Sequence, residues 1–129
     1  MEKITVIIER DSAGEFTAVP QHNYPVGFFG CGKSVEEALS DLENSHREAK
    51  EMLPELPEFE YSVKFDTASF LQYFGKKLSL AGLQTITGIN RKQLSHYMTG
   101  HSKPSQATVK KIEKGLRRFQ EELSHVALV

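Results

Sequence analysis

The chain is poor in cysteine. Cys31 stands alone among 129 residues, which excludes an internal disulfide and a zinc site built from several thiolates. A buried thiol is the expectation for it. Long apolar runs are missing too. The longest, Ile4–Ile8, includes Thr5 and falls far short of the roughly 20 residues a membrane-spanning helix needs. Glu2 beside Lys3 is no basic segment leading into an apolar one, so no secretory signal and no membrane partner are expected, and the expected location is cytoplasmic. Neither an internal repeat nor a low-complexity stretch is present. Gly30-Cys31-Gly32 lacks the remaining elements of a phosphate-binding loop. His22 and His46 have no carboxylate or cysteine at ligand spacing, so each reads as an ordinary loop or helix-face histidine. No metal and no cofactor is expected.

What is present fits a folded protein: 39% hydrophobic and 26% charged residues, in a length that suits one ordinary domain or two very small ones. The net charge of −1 hides a division. Residues 1–65 hold 6 Lys/Arg against 13 Asp/Glu, net −7; residues 66–129 hold 10 against 4, net +6. Opposite signs on two halves point to two modules with different partners, a cationic protein for the first and a polyanion for the second. Mutual attraction of the halves is the plainer alternative.

Pro54 and Pro57 stop any helix, and Phe59, Tyr61, Val63 and Phe65 then alternate with polar residues as in a half-buried strand. A linker is expected around Phe65–Ala68, with Asp66 or Thr67 capping the next helix. Before it, Lys3–Arg10 reads as a central strand, Asp11–Gly14 as a turn, Glu15–Pro20 as its hairpin partner and Phe28–Lys33 as a short third strand. Ser34 and Glu37 have capping-box spacing. The helix they open puts Val35, Ala38, Leu39, Leu42, Ala49, Met52 and Leu53 on one face. Glu36, Glu37, Asp41, Glu43, Glu48 and Glu51 lie on the other. The fold class is therefore α+β. A β-β-β-α-β domain over residues 1–65 precedes an all-α domain over residues 66–129.

A metal-dependent nuclease needs carboxylates that converge on cations. Most acids here fall on the solvent face of one helix, where solubility accounts for them. No enzymatic activity is expected; a residual nuclease using sheet carboxylates such as Asp11 is the least favoured reading.

In the second half, Ala68–Lys77 reads as a helix. Another starts at Leu78-Ser79 with Ser79 as N-cap and stops at Gly88. A third starts at Asn90, with Asn90 and Gln93 at capping-box spacing, and stops at Gly100. Lys103-Pro104-Ser105 then turns the chain into the last. Two short helices joined through a glycine make a helix-turn-helix. Polar side chains at the start of its second helix suit major-groove readout, with Arg paired to guanine and Gln to adenine. Asn90, Arg91, Lys92, Gln93, Ser95, His96 and Lys103 are the candidate DNA-binding residues; Lys110, Lys111 and Lys114 could add phosphate contacts. No aromatic platform for single strands is seen. Val109, Ile112, Leu116, Phe119 and Leu123 form a narrow seam on the last helix. It suits either internal packing or a dimer.

Leu78–Ser105, LSLAGLQTITGINRKQLSHYMTGHSKPS, resembles the Xre/Cro-type helix-turn-helix of phage repressors. The carrying residues are Leu78-Ser79, Gly88-Ile89, Ser95, Gly100 and Pro104-Ser105. Leu80 stands where that family has a glutamine that braces the recognition helix. Gln84 stands where it has a small alanine.

The first half is similar to the HicB-type antitoxin domain. Ile4–Asp11, Gly14 with Phe16-Thr17-Ala18, Gly30-Cys31 and Ser34–Leu39 carry that likeness. The family's Pro-Gly-Cys segment is kept only in part, with Phe28-Phe29 between Pro25-Val26-Gly27 and Gly30-Cys31. The resemblance implies an incomplete ribonuclease H-like fold that covers a small basic HicA-type toxin, an RNA-cleaving protein. It also implies a DNA-binding domain that represses the chain's own operon by binding double-stranded operator DNA as a homo-oligomer, dimer or tetramer. The alternative is a solitary helix-turn-helix transcription regulator whose first domain senses a ligand or another protein.

Overall fold

The computed structural model describes residues 1–129. Strands β1 (Glu2–Arg10), β2 (Phe16–Pro20) and β3 (Gly30–Gly32) precede helix α1 (Val35–Met52) and strand β4 (Phe59–Phe65). Four helices follow: α2 (Thr67–Leu78), α3 (Leu80–Thr87), α4 (Arg91–Met98) and α5 (Gln106–Ser124). The α+β class and the order of elements in the first half agree with the sequence reading.

The sheet runs β3-β2-β1-β4, with β1 antiparallel to β2 and parallel to β4. β1 is central in the sheet. Its apolar residues nonetheless serve one face: Ile4, Val6 and Ile8 are buried under α1, while Thr5 and Ile7 are only half-buried on the open side. Ser34 caps α1 through the Glu37 amide at 3.1 Å, and the Glu37 carboxylate reaches back to the Lys33 amide at 2.7 Å. α1 can lie this close to β3 because Gly30 has no side chain. A Cβ there would sit 2.5 Å from the Leu42 nitrogen and nearer still to the Ala38 carbonyl.

Three expectations need correction. Met52 is exposed, and Leu53 and Leu56 close the core instead, because the chain turns inward beyond the helix end. His46 is buried rather than on an open helix face; its Nε2 meets the Pro57 carbonyl at 2.9 Å and its ring packs edge-on to Phe28 and Phe59. Cys31 is exposed, since its side chain leaves the sheet on the side opposite α1. Val63, on edge strand β4, is also more open than simple alternation implies.

Two separate cores result. One gathers residues between Ile4 and Phe59, the other Leu71, Leu83, Ile89, Leu94, Tyr97 and Ile112. The junction is packed, not a free linker. Asp66 accepts from the Ser69 amide at 2.8 Å as N-cap of α2 and from the Arg10 amide at 2.9 Å, while its own amide donates to Ile8 at 3.0 Å. Phe65 stacks on Tyr73 and meets Phe70 and Phe74 edge-on. The Gln72 side chain accepts from the Val35 amide at 2.8 Å, and Lys76 lies 3.7 Å from Glu36.

Candidate nucleic-acid interface

Ser79 opens α3 by accepting from the Gly82 amide at 3.0 Å. Leu83 is fully buried, and Gly88 ends the helix in the left-handed conformation, φ +75°, with its amide bonded to the Gln84 carbonyl. A side chain at Gly88 would strain that turn. The buried Thr87 hydroxyl ties both sides of it, donating to the Leu83 carbonyl at 2.7 Å and accepting from the Ile89 amide at 3.2 Å. Ile89, Leu94 and Tyr97 then hold α4 against the second core.

The start of α4 is fastened twice. Asn90 Oδ1 accepts from the Lys92 amide at 2.8 Å, and Gln84 Oε1 accepts from the Arg91 amide at 2.8 Å. Gln84 therefore supplies a brace to the recognition helix from the position where the family pattern has a small residue. The capping box expected of Asn90 and Gln93 is not formed. Gln93 Nε2 instead donates to Ser102 Oγ at 3.2 Å, tying α4 to the loop before α5.

The candidate residues divide by what they are free to do. Arg91 and Lys92 project from the first turn of α4, exposed and without an acidic partner. Ser95 and His96 continue the same face and are half-buried; the His96 ring lies 4.7 Å from that of His101. Asn90 is occupied as a cap, and Gln93 by Ser102. Lys103 is exposed in the following loop. Lys110, Lys111 and Lys114 are exposed along α5, and the Lys111 ammonium lies against Gly88, beside the turn itself. Arg91 and Lys92 on the short helix, with Lys111 beside the turn, put cations next to a helix that can present side chains to a groove.

Reading the sequence alone missed Gly115. It is buried where α5 crosses α3, and a Cβ on it would overlap the Ile86 carbonyl and come within 3.0 Å of Thr87 Cα. The close crossing brings the basic stripe of α5 beside the turn. A lone glycine inside a basic amphipathic helix gives no signal of the helix it will meet. Arg10 and Gln72, which join the two modules, were missed for the same reason.

This geometry defines a helix-turn-helix DNA-binding domain at the C-terminal end of the described fold. Residues 75–118 match the family model described as helix-turn-helix, a span from the end of α2 through most of α5. Comparison with curated proteins and with solved structures gives no match. No helix is long and apolar enough to cross a membrane.

Proposed function

We propose that this chain is an antitoxin that represses its own operon. Its helix-turn-helix domain binds double-stranded operator DNA through Arg91 and Lys92, with Ser95 and His96 beside them. Its first module, residues 1–65, an incomplete ribonuclease H-like unit, covers a small basic HicA-type toxin. Neutralisation is steric and electrostatic, and this chain makes or breaks no bond. The observation that carries the reading is the charge division. Six cations face thirteen acids in the first module, ten face four in the second, and only one ion pair, Lys76 with Glu36, joins the two. Each charged surface is therefore left free for a partner of opposite sign. Phe29, 58% exposed beside Gly27 and Gly30, gives the first module an apolar contact point as well. A homo-oligomer, formed through the exposed end of the α5 seam, places two recognition helices on a two-fold operator.

The test is co-purification at moderate salt followed by binding to the DNA upstream of the chain's own coding region. A near-stoichiometric small basic protein, toxic alone and silenced by this chain, is the expected finding. Arg91→Ala should weaken DNA binding by roughly 5- to 150-fold, about 1–3 kcal/mol for a base contact, and leave the toxin complex intact. Loss of both activities together would count against two independent surfaces.

The solitary-regulator reading has one place to look. An open, mainly polar cleft of about 390 Å³ lies between α1 and the start of β4, lined by Glu43, Arg47, Lys50, Glu58 and Tyr61 among others. Recovery of promoter DNA without any toxin would make this cleft the place to seek a small ligand.

A further inference from the structure

Arg10 ends β1, in the acidic module, yet its side chain reaches the helix-turn-helix domain. The guanidinium lies between two glycines in left-handed conformations. One is Gly14, φ +86°, in the β1–β2 turn; the other is Gly100, φ +76°, just after α4. A Cβ on Gly14 would sit 3.0 Å from Nη2, and one on Gly100 would collide with Nη1. Neither glycine offers a side chain to it.

The residue is half-buried, and its guanidinium has no ion pair and no hydrogen bond within the chain. The adjacent carboxylate, Asp11, turns one oxygen to its own turn, Oδ1 accepting from the Ala13 and Glu15 amides, both at 2.9 Å, and forms no ion pair with the guanidinium. Its nitrogens reach solvent, so five donors on a permanent cation are open to an acceptor from outside the chain. An anion is the partner such a group is free to take.

The position says which anion. Arg10 rests at the far end of the recognition helix, whose first turn carries Arg91 and Lys92. The eight residues of α4, Arg91–Met98, span about 12 Å of helical rise, and Gly100 follows just beyond them. The major groove is about 12 Å wide. A helix whose first residues reach base edges therefore brings its other end to the sugar–phosphate backbone. Lys103, in the loop that starts at Gly100, adds to the cationic character there.

We propose that Arg10 is a DNA-phosphate ligand, supplied to the helix-turn-helix interface by the other module. The proposal rests on the DNA-binding reading above. It extends the interface to a residue outside the span matched by the helix-turn-helix family. It also gives the first module a part in holding the operator.

The experiment measures fluorescence anisotropy of a labelled mixed-sequence duplex, about three helical turns long. The full chain is titrated at salt from about 50 to about 200 mM. Arg10→Gln should bind more weakly, and the slope of log affinity against log salt should fall by about 0.9. The loss at the lowest salt then exceeds that at the highest by roughly three- to four-fold. Arg10→Lys should keep the wild-type slope. Should Arg10→Gln lose its fold by circular dichroism, Arg10→Met takes its place, since it keeps an unbranched apolar stem without the charge.

Unchanged binding overturns the proposal. So does weaker binding at an unchanged slope, which would make Arg10 a positioning residue for the Gly100 loop. If the wild type binds no duplex and Arg91→Ala changes nothing, the DNA reading falls and takes this one with it. If the wild type binds, Arg91→Ala weakens it and only the Arg10 variants are silent, this proposal fails alone.

Discussion

Ser79 holds an uncommon backbone conformation, φ 59° with ψ 156°, and is the only non-glycine residue with positive φ. Glycine adopts that region freely, and a side chain there costs about 1–3 kcal/mol. The serine remains useful because its hydroxyl caps α3. Ser79→Ala keeps the strain and removes the cap, so urea denaturation should show a loss of about 1 kcal/mol. Ser79→Gly relieves the strain and should be neutral or stabilising. Equal losses for both would mean that the hydroxyl alone matters. Cys31 poses a different residue-scale question, because exposure would suggest reactivity. Desolvation of the thiol, with the charges of Asp41, Glu15 and Asp11, pushes its pKa up. Less thiolate is then present at neutral pH. Alkylation should be slower than for an unstructured peptide thiol, with its rise displaced to higher pH. A rate equal to the peptide's would show that the carboxylates do not reach the sulfur.

At the scale of elements, local signals carried the reading well. Ser34, Asp66, Ser79 and Asn90 each cap the helix expected of them, because a cap is decided within a few residues. Contacts between distant segments were not legible. Nothing near Gln84 signals that its amide will fasten Arg91, and nothing near Gly115 signals the Ile86 carbonyl. Gly115→Ala should therefore destabilise the protein by about 1–3 kcal/mol through overpacking, although alanine is the better helix former. A rise in thermal midpoint would mean that α5 can shift away from α3 at little cost. The seam of α5 divides along its length. Ile112 is buried, Val109, Leu116 and Phe119 are half-buried, and Leu123 is 53% exposed with Val126 and Leu128 beyond it. Leu123→Glu should leave the fold intact and shift sedimentation equilibrium toward monomer. An unchanged mass would remove the end of α5 from any oligomer contact.

At the scale of the molecule, charge was the most legible property, since it needs only counting. The places of the acids are less simple than a solvated helix face. Asp41 accepts from the Cys31 amide at 2.9 Å and Glu37 from Lys33, so both tie the β3 segment to α1. Glu58 sits 2.8 Å from Lys50, whose hydrogen bond and charge hold its carboxyl below the usual range. The first module's charge therefore has a structural share, with Glu43, Glu48, Glu51 and Glu55 left exposed. The β-β-β-α-β order was read correctly because each element carries its own period and punctuation. The packed junction was not, because a residue that ends a strand and one that caps a helix resemble a linker in sequence.

That junction leaves no slack between the two modules. Phe65 ends β4, Asp66 caps α2, and the same carboxylate holds the end of β1. On the antitoxin reading proposed above, a toxin held by the first module would be carried at a set height and bearing above the duplex. Its bulk would then act as a ruler for a neighbouring half-site. A slim occupant would let a second copy dock alongside, and a wide one would shut it out. Occupancy of one surface could then be read as spacing on the other, with no change of shape in the chain itself.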